Sequence, residues 1–289
     1  MTLSASTLGW GALAGVAVVA SLGTLPIQIG FAVLAIGVVG MAHGASDLAI
    51  VEPSRRPLFL ALYAAVMLVC LLWWTMVPAA ALPLFLAASA VHFGLEDAPA
   101  DAPVERMLRG VGLVATPAVL HRTDLRDLLN LAGGYSTLST GVVDIMAGAG
   151  AIAAVGVLAI AARRSNTQLA IGTASLLLLP PLVGFSVGFL VLHAIPQTLA
   201  RQRQIGCDSV ASYLGQVAPL LAGAILIVGI IGLMVLHQET SGVRSLFAAV
   251  AALAAPHLLI TPLFERMPSG PACSRRFDRA AIPPIRSIS

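Results

Sequence analysis

The chain has 289 residues, of which 58% are hydrophobic and 10% charged, with a mean hydropathy of +0.94 and a formal net charge of +3. About a quarter of the residues of a soluble domain are charged, so this composition excludes one and predicts an all-α, polytopic transmembrane helical bundle. Every basic residue is an arginine, and neither their number nor their spacing makes a basic surface for nucleic acid.

A helix needs roughly 20 apolar residues to cross a hydrocarbon core of about 30 Å. Apolar runs broken by charged or Pro/Gly-rich punctuation predict ten spans, at 8–22, 25–42, 57–74, 77–94, 107–120, 143–162, 167–182, 184–200, 213–236 and 245–262. The run 107–120 is short, and Pro180-Pro181 divides two spans that could be read as one broken helix. No positively charged n-region precedes the first run, so that run is expected to stay in the protein rather than be cleaved. Ten alternating crossings from an inside N-terminus place thirteen arginines on one side, Arg55 to Arg286, and only Arg122, Arg126 and Arg244 on the other. Cytoplasmic loops are enriched in basic residues, which predicts an N-in, C-in protein of the cell inner membrane. Residues 1–266 then form one transmembrane domain, and 267–289, rich in Arg, Pro and Ser, are expected to be a disordered cytoplasmic tail. Cys70, Cys207 and Cys273 show no metal-binding spacing and are read as free thiols.

Ionisable side chains inside a membrane cost about 2.5–3.5 kcal/mol each on insertion scales, so those kept within spans are candidates for function. On the ten-span layout His43 and His92 end the second and fourth spans at the inner side. His193 and His257 lie within the eighth and tenth, each eight residues before the inner boundary at Arg201 and Glu265. Four imidazoles from four helices at similar depth are what a buried metal site requires, because neutral imidazole binds iron, copper or zinc without burying net ligand charge. A lone membrane histidine more often hydrogen-bonds a neighbouring helix. His121 and His237, at outer helix ends, are read as caps. Asp47, four residues after His43, and Asp97, five after His92, are each placed to orient an imidazole. Glu52, Glu96, Asp101 and Glu105 are read as solvated helix-end charges. No nucleophile elbow, phosphate loop or dinucleotide fingerprint is visible, which disfavours hydrolases and nucleotide-driven machines.

Short motifs around these histidines resemble the bacterial Brp/Blh family of integral-membrane beta-carotene 15,15'-dioxygenases. Met41-Ala42-His43-Gly44-Ala45-Ser46-Asp47 is similar to the family's PHGAxD signature with alanine for proline, and His92-Phe93-Gly94-Leu95-Glu96-Asp97 to its HFGxxD. Phe185 to His193 resembles the helix leading into the HSxRH element, and Pro256-His257-Leu258-Leu259 the C-terminal PH motif. The resemblance implies a non-haem ferrous ion, Fe(2+), held by His43, His92 and His193, with His257 as the further candidate ligand. It departs at His193-Ala194-Ile195-Pro196-Gln197. Where the family has a second histidine four residues on, this chain has Gln197, a weak ligand through its carbonyl oxygen or a replaced one. Pro196 is expected to perturb the helix there.

The reaction this implies is cleavage of beta-carotene, or a related carotenoid or apocarotenoid, by dioxygen to retinal-type aldehydes. The polyene would enter from the lipid bilayer, and the product implies a functional link to a retinal-binding rhodopsin. Phe93, Phe185 and Phe189, with Trp73 and Trp74, are candidate tunnel walls, although lipid-facing or interfacial packing is the commoner role of such aromatics. Two other classes fit part of the pattern. A proton-coupled permease would use the histidines with Asp47 or Asp97 as a relay, but the chain shows no internal repeat and its polar residues sit toward one face. A catalytically inactive scaffold for a carotenoid or rhodopsin system would explain Gln197.

Overall fold

The computed structural model describes residues 5–133, 140–236 and 242–264. The expected tail at 267–289, His237 and Cys273 lie outside them. In chain order the helices are α1 (Ala5–Ser21), α2 (Leu25–Ile50), α3 (Arg56–Met76), α4 (Pro78–Asp97), α5 (Pro103–Ala115), α6 (Pro117–Leu120), α7 (Arg122–Gly133), α8 (Thr140–Arg163), α9 (Thr167–Leu178), α10 (Pro181–Ile205), α11 (Val210–Leu236) and α12 (Val243–Phe264), with no strand among the described residues.

Seven of these, α2, α3, α4, α8, α10, α11 and α12, are long and apolar enough to cross a membrane, so the chain is a multi-pass membrane protein with an all-α polytopic fold. The bare apolar face of α8, at Ile145, Ile152 and Val155, fits lipid contact, while Ala147, Ala154 and Val157 of the same helix are buried. Small residues on the inner side suit packing between helices in lipid, where close approach rather than water exclusion holds helices together. Three expected spans take other forms. Runs 8–22 and 167–182 are shorter apolar helices, Gly9–Ser21 and Thr167–Leu178. Run 107–120 is broken between α5 and α6, because Pro117 has no N–H to continue the ladder. The 13 residues of α5 rise only about 20 Å, and the helix carries Glu105, Arg106 and Arg109. Pro180-Pro181 does separate two helices, since α9 ends at Leu178, α10 starts at Pro181, and the two pack as a hairpin.

Three local features position the site. First, α4 and α5 cross at Gly110, where any Cβ would strike the main-chain oxygen of Ala90, and this close approach sets Arg109 beside the end of α4. Second, α2 leaves regular geometry, with a π-helical stretch at Val33–Val39 and 3-10 turns at Gly40–Ala42 and Gly44–Ser46. Irregular backbone at membrane depth requires partners from the protein. The Ala42 carbonyl accepts Tyr213 Oη at 2.8 Å and the His43 carbonyl accepts Ser46 Oγ at 2.6 Å. Gly40 also admits the Phe189 ring, which a Cβ there would strike. Third, α10 has a π-helical stretch at Leu190–Ala194, immediately before the α-helical segment that opens with Ile195 and Pro196. Gln168 of α9 donates to the Val191 carbonyl within that stretch at 2.5 Å.

One expectation fails on a cysteine. Cys70 is free, but Cys207 is disulfide-bonded.

Candidate metal centre

The four span histidines converge. His43 comes from the 3-10 region of α2, His92 from the last turns of α4, His193 from the π-helical stretch of α10 and His257 from the middle of α12. Their rings form a closed circuit, with centroids 5.0 Å apart for His43–His193, 5.4 Å for His193–His92, 5.3 Å for His92–His257 and 5.2 Å for His257–His43. All four contacts are steeply inclined, between 67° and 87°, so edges rather than faces meet. His193 is fully buried, and His43 and His257 nearly so.

Hydrogen bonding fixes which nitrogen is free. His193 Nδ1 donates to Asp97, at 2.9 Å from Oδ1 and 3.0 Å from Oδ2. His257 Nδ1 donates to Asp47 Oδ2 at 2.7 Å, an oxygen that also accepts Thr261 Oγ1 at 2.6 Å. His43 Nδ1 donates to the Gly40 carbonyl at 2.6 Å. A carboxylate or carbonyl can only accept, so each Nδ1 carries a proton, and in the neutral imidazole each Nε2 then keeps a lone pair. The Nε2 atoms of His193 and His257 are buried without any hydrogen-bond partner. Such orphans are rare, and imidazoles anchored through one nitrogen with the other free are the usual arrangement of metal-binding histidines. The residues therefore fit a metal. An all-imidazole donor set with carboxylates behind it suits iron, copper or zinc rather than calcium or magnesium.

Asp47 and Asp97 both hold imidazoles, and both reach across to another helix. Asp47 of α2 serves His257 of α12, and Asp97 of α4 serves His193 of α10. Gln197 turns its amide to Asp97 Oδ1 and to the Glu96 carbonyl, each at 3.1 Å.

Two carboxylates read as solvated helix ends are otherwise engaged. Glu96 Oε2 lies 3.5 Å from His92 Nε2, and Glu96, His92 and His193 bring donor atoms within 4.8 Å of one another. Its spacing of one helical turn from His92 was the available signal. Glu105 is buried on α5 and binds Arg164 bidentately at 2.8 and 2.7 Å, and Arg109 as well. Burial opposes its charge, but the two guanidiniums prevail and hold the carboxyl below its ordinary value. His121 lies 3.6 Å from Asp124 at the α6–α7 junction, away from the centre.

The circuit opens on a cavity of about 420 Å³ whose lining includes all four histidines with Phe93, Phe185 and Phe189. Phe185 and Phe189 stack at 6.0 Å, and Phe93 meets His193 edge-on at 4.7 Å. Beyond the histidines and Asp47 the walls are almost wholly aliphatic and aromatic, drawn mainly from α2, α3, α4, α7, α10, α11 and α12, with single residues from α5, α6 and α8. Trp74 is instead buried against Phe85, 6.0 Å away, Trp73 is partly exposed, and neither lines the cavity.

No curated protein and no solved structure matches the chain. One family model does match, that of beta-carotene 15,15'-dioxygenase, over residues 34–265, a stretch that contains every histidine of the circuit, both aspartates and all three phenylalanines. A dioxygenase-type enzyme, a metal cofactor, a carotenoid substrate and dioxygen are what that family points to. With motifs, fold and match in accord, the chain belongs to the beta-carotene 15,15'-dioxygenase family.

Proposed function

We propose that this protein is an Fe(2+)-dependent membrane dioxygenase that cleaves beta-carotene, or a closely related carotenoid, into retinal-type aldehydes. The observation that carries the reading is the pair of buried, unpartnered Nε2 atoms of His193 and His257 in a four-imidazole circuit beside an apolar cavity. His43, His92, His193 and His257 would hold the ion. When bound, ferrous iron supplies the electrons that make dioxygen reactive toward a carbon–carbon double bond. The overall change balances: one C=C and one O2 become two C=O groups, with no proton or further reductant consumed.

The protein's own part is position and exclusion. Asp47 and Asp97 hold the His257 and His193 rings through Nδ1, with Nε2 directed inward. Phe93, Phe185 and Phe189 offer a polyene flat, apolar contacts. The aliphatic walls keep water from the reacting carbons. We place the protein in the cell inner membrane, where a retinal product suits delivery to a rhodopsin in the same bilayer.

The test is expression in a beta-carotene-producing host. We expect the cells to lose colour and to yield retinal, and the His43→Ala variant to do neither. Unchanged carotenoid beside a folded, metal-loaded wild-type protein would contradict the assigned substrate.

A further inference from the structure

Gln197 occupies the position where the resemblance implies a ligand, yet its side chain is committed elsewhere. Its Nε2 donates to Asp97 Oδ1 and to the Glu96 carbonyl, both at 3.1 Å. Each partner can only accept, which fixes the orientation of the amide. The same Asp97 carboxylate receives His193 Nδ1 on both oxygens, at 2.9 and 3.0 Å. Asp97 is also held by its backbone, because Arg109 donates to its main-chain carbonyl at 2.6 Å. Arg109 in turn binds Glu105, which Arg164 at the end of α8 grips with two bonds. The last turn of α4 is thus fastened from α10 by an amide and from α5 by a guanidinium that its ion pair with the buried Glu105 carboxylate keeps in place.

We infer that Gln197 is a positioning residue and not a metal ligand: together with Arg109 it fixes Asp97, which aims His193 Nε2 at the centre. In this chain position 197 serves orientation, and His257, held by Asp47 from a different helix, brings the fourth imidazole. The inference rests on the metal-centre reading above. Physically, a carboxylate with a single partner can turn about its Cβ–Cγ bond and carry the imidazole with it. A second donor and a pinned backbone remove that freedom. Loss of partners that orient a ligand typically costs about 10–100-fold in metal affinity.

The test is anaerobic titration of the purified full-length protein with Fe2+, and with Co2+ to record its d–d absorption, for wild type, Gln197→Glu, Gln197→Met, Arg109→Met and Arg109→Lys. Gln197→Glu separates the two roles by sign. If Gln197 positions Asp97, the new carboxylate faces another carboxylate, and affinity falls about tenfold or more, with Gln197→Met falling similarly. If Gln197 is a ligand, Gln197→Glu provides a stronger anionic oxygen donor and affinity rises, which overturns the inference, as would affinities unchanged in both variants. Arg109→Met should weaken binding and shift the Co2+ spectrum, and Arg109→Lys, which keeps a donor for the Asp97 carbonyl, should restore both. Melting of each metal-free variant reports folding separately. A folded wild type that takes up no metal would remove the metal-centre reading itself, a result distinct from either outcome at Gln197.

Discussion

The two carboxylate–imidazole pairs of the centre do the same job with different support. Asp97 has both oxygens committed, since His193 Nδ1 reaches each of them and Gln197 adds a bond to Oδ1. It also sits at the end of α4, where Arg109 donates to its main-chain carbonyl and is itself paired with Glu105, which Arg164 also binds. Asp47 lies deeper, and its two bonds, from His257 and Thr261, converge on Oδ2, while Oδ1 is buried with no partner. The contrast shows that one orienting carboxylate is saturated and tied to a surface charge network, whereas the other is half-used and supported only from α12.

Removing an imidazole from either pair, by His193→Ala or His257→Ala, should abolish stoichiometric metal binding, the largest effect, measured as metal per chain. The carboxylates themselves should separate the pairs. At position 47 an asparagine can keep its carbonyl oxygen on His257 and Thr261 and place its NH2 at the unpartnered Oδ1 position. At position 97 the NH2 must face either His193 or Gln197, both donors. Asp97→Asn should therefore weaken metal binding toward the upper end of about 10–100-fold and Asp47→Asn toward the lower end. Equal losses would break the comparison.

Thr261→Val removes one neutral-to-charged hydrogen bond of about 1.5–3 kcal/mol on the Asp47 side alone. It should lower the melting temperature of the metal-free protein and weaken metal binding less than Asp47→Asn does. The smallest effect concerns pH. Arg164 and Arg109 overcome burial to hold the Glu105 carboxyl below its ordinary value of 4.5, so its stabilising contribution is present above that pH and lost as pH falls through the depressed value. Melting temperature measured against pH should show an acid limb beginning below about 4.5, and Glu105→Gln should erase that limb while leaving the neutral-pH Asp47 side untouched.

Much of the centre was legible in the sequence, because ionisable residues are so costly in a spanning helix that four histidines near one depth stand out against the apolar background. The partnerships were less legible. Asp47 is four residues from His43, which on a regular helix would put both on one face. The 3-10 turns between them break that register, and Asp47 meets His257, 210 positions away in sequence. Asp97, five residues from His92 on regular α4, points about 140° around the axis, toward His193. Glu96, at the four-residue spacing, is the one that meets His92. Glu105 misled for another reason. Its buried state depends on two arginines, one of them 59 positions away, which no local pattern announces. Run 167–182 reads as one apolar stretch, but α9 stops at Leu178, where Leu179 turns extended and Pro180 follows, which leaves a 12-residue apolar helix.

The central claim is that the four histidines form a metal centre, and its most direct test is metal analysis of the detergent-purified protein beside a His193→Ala, His257→Ala double variant whose folding is verified by circular dichroism. The account predicts about one iron per wild-type chain and none in the double variant. A folded wild type without metal, or the same iron content in both, would contradict it.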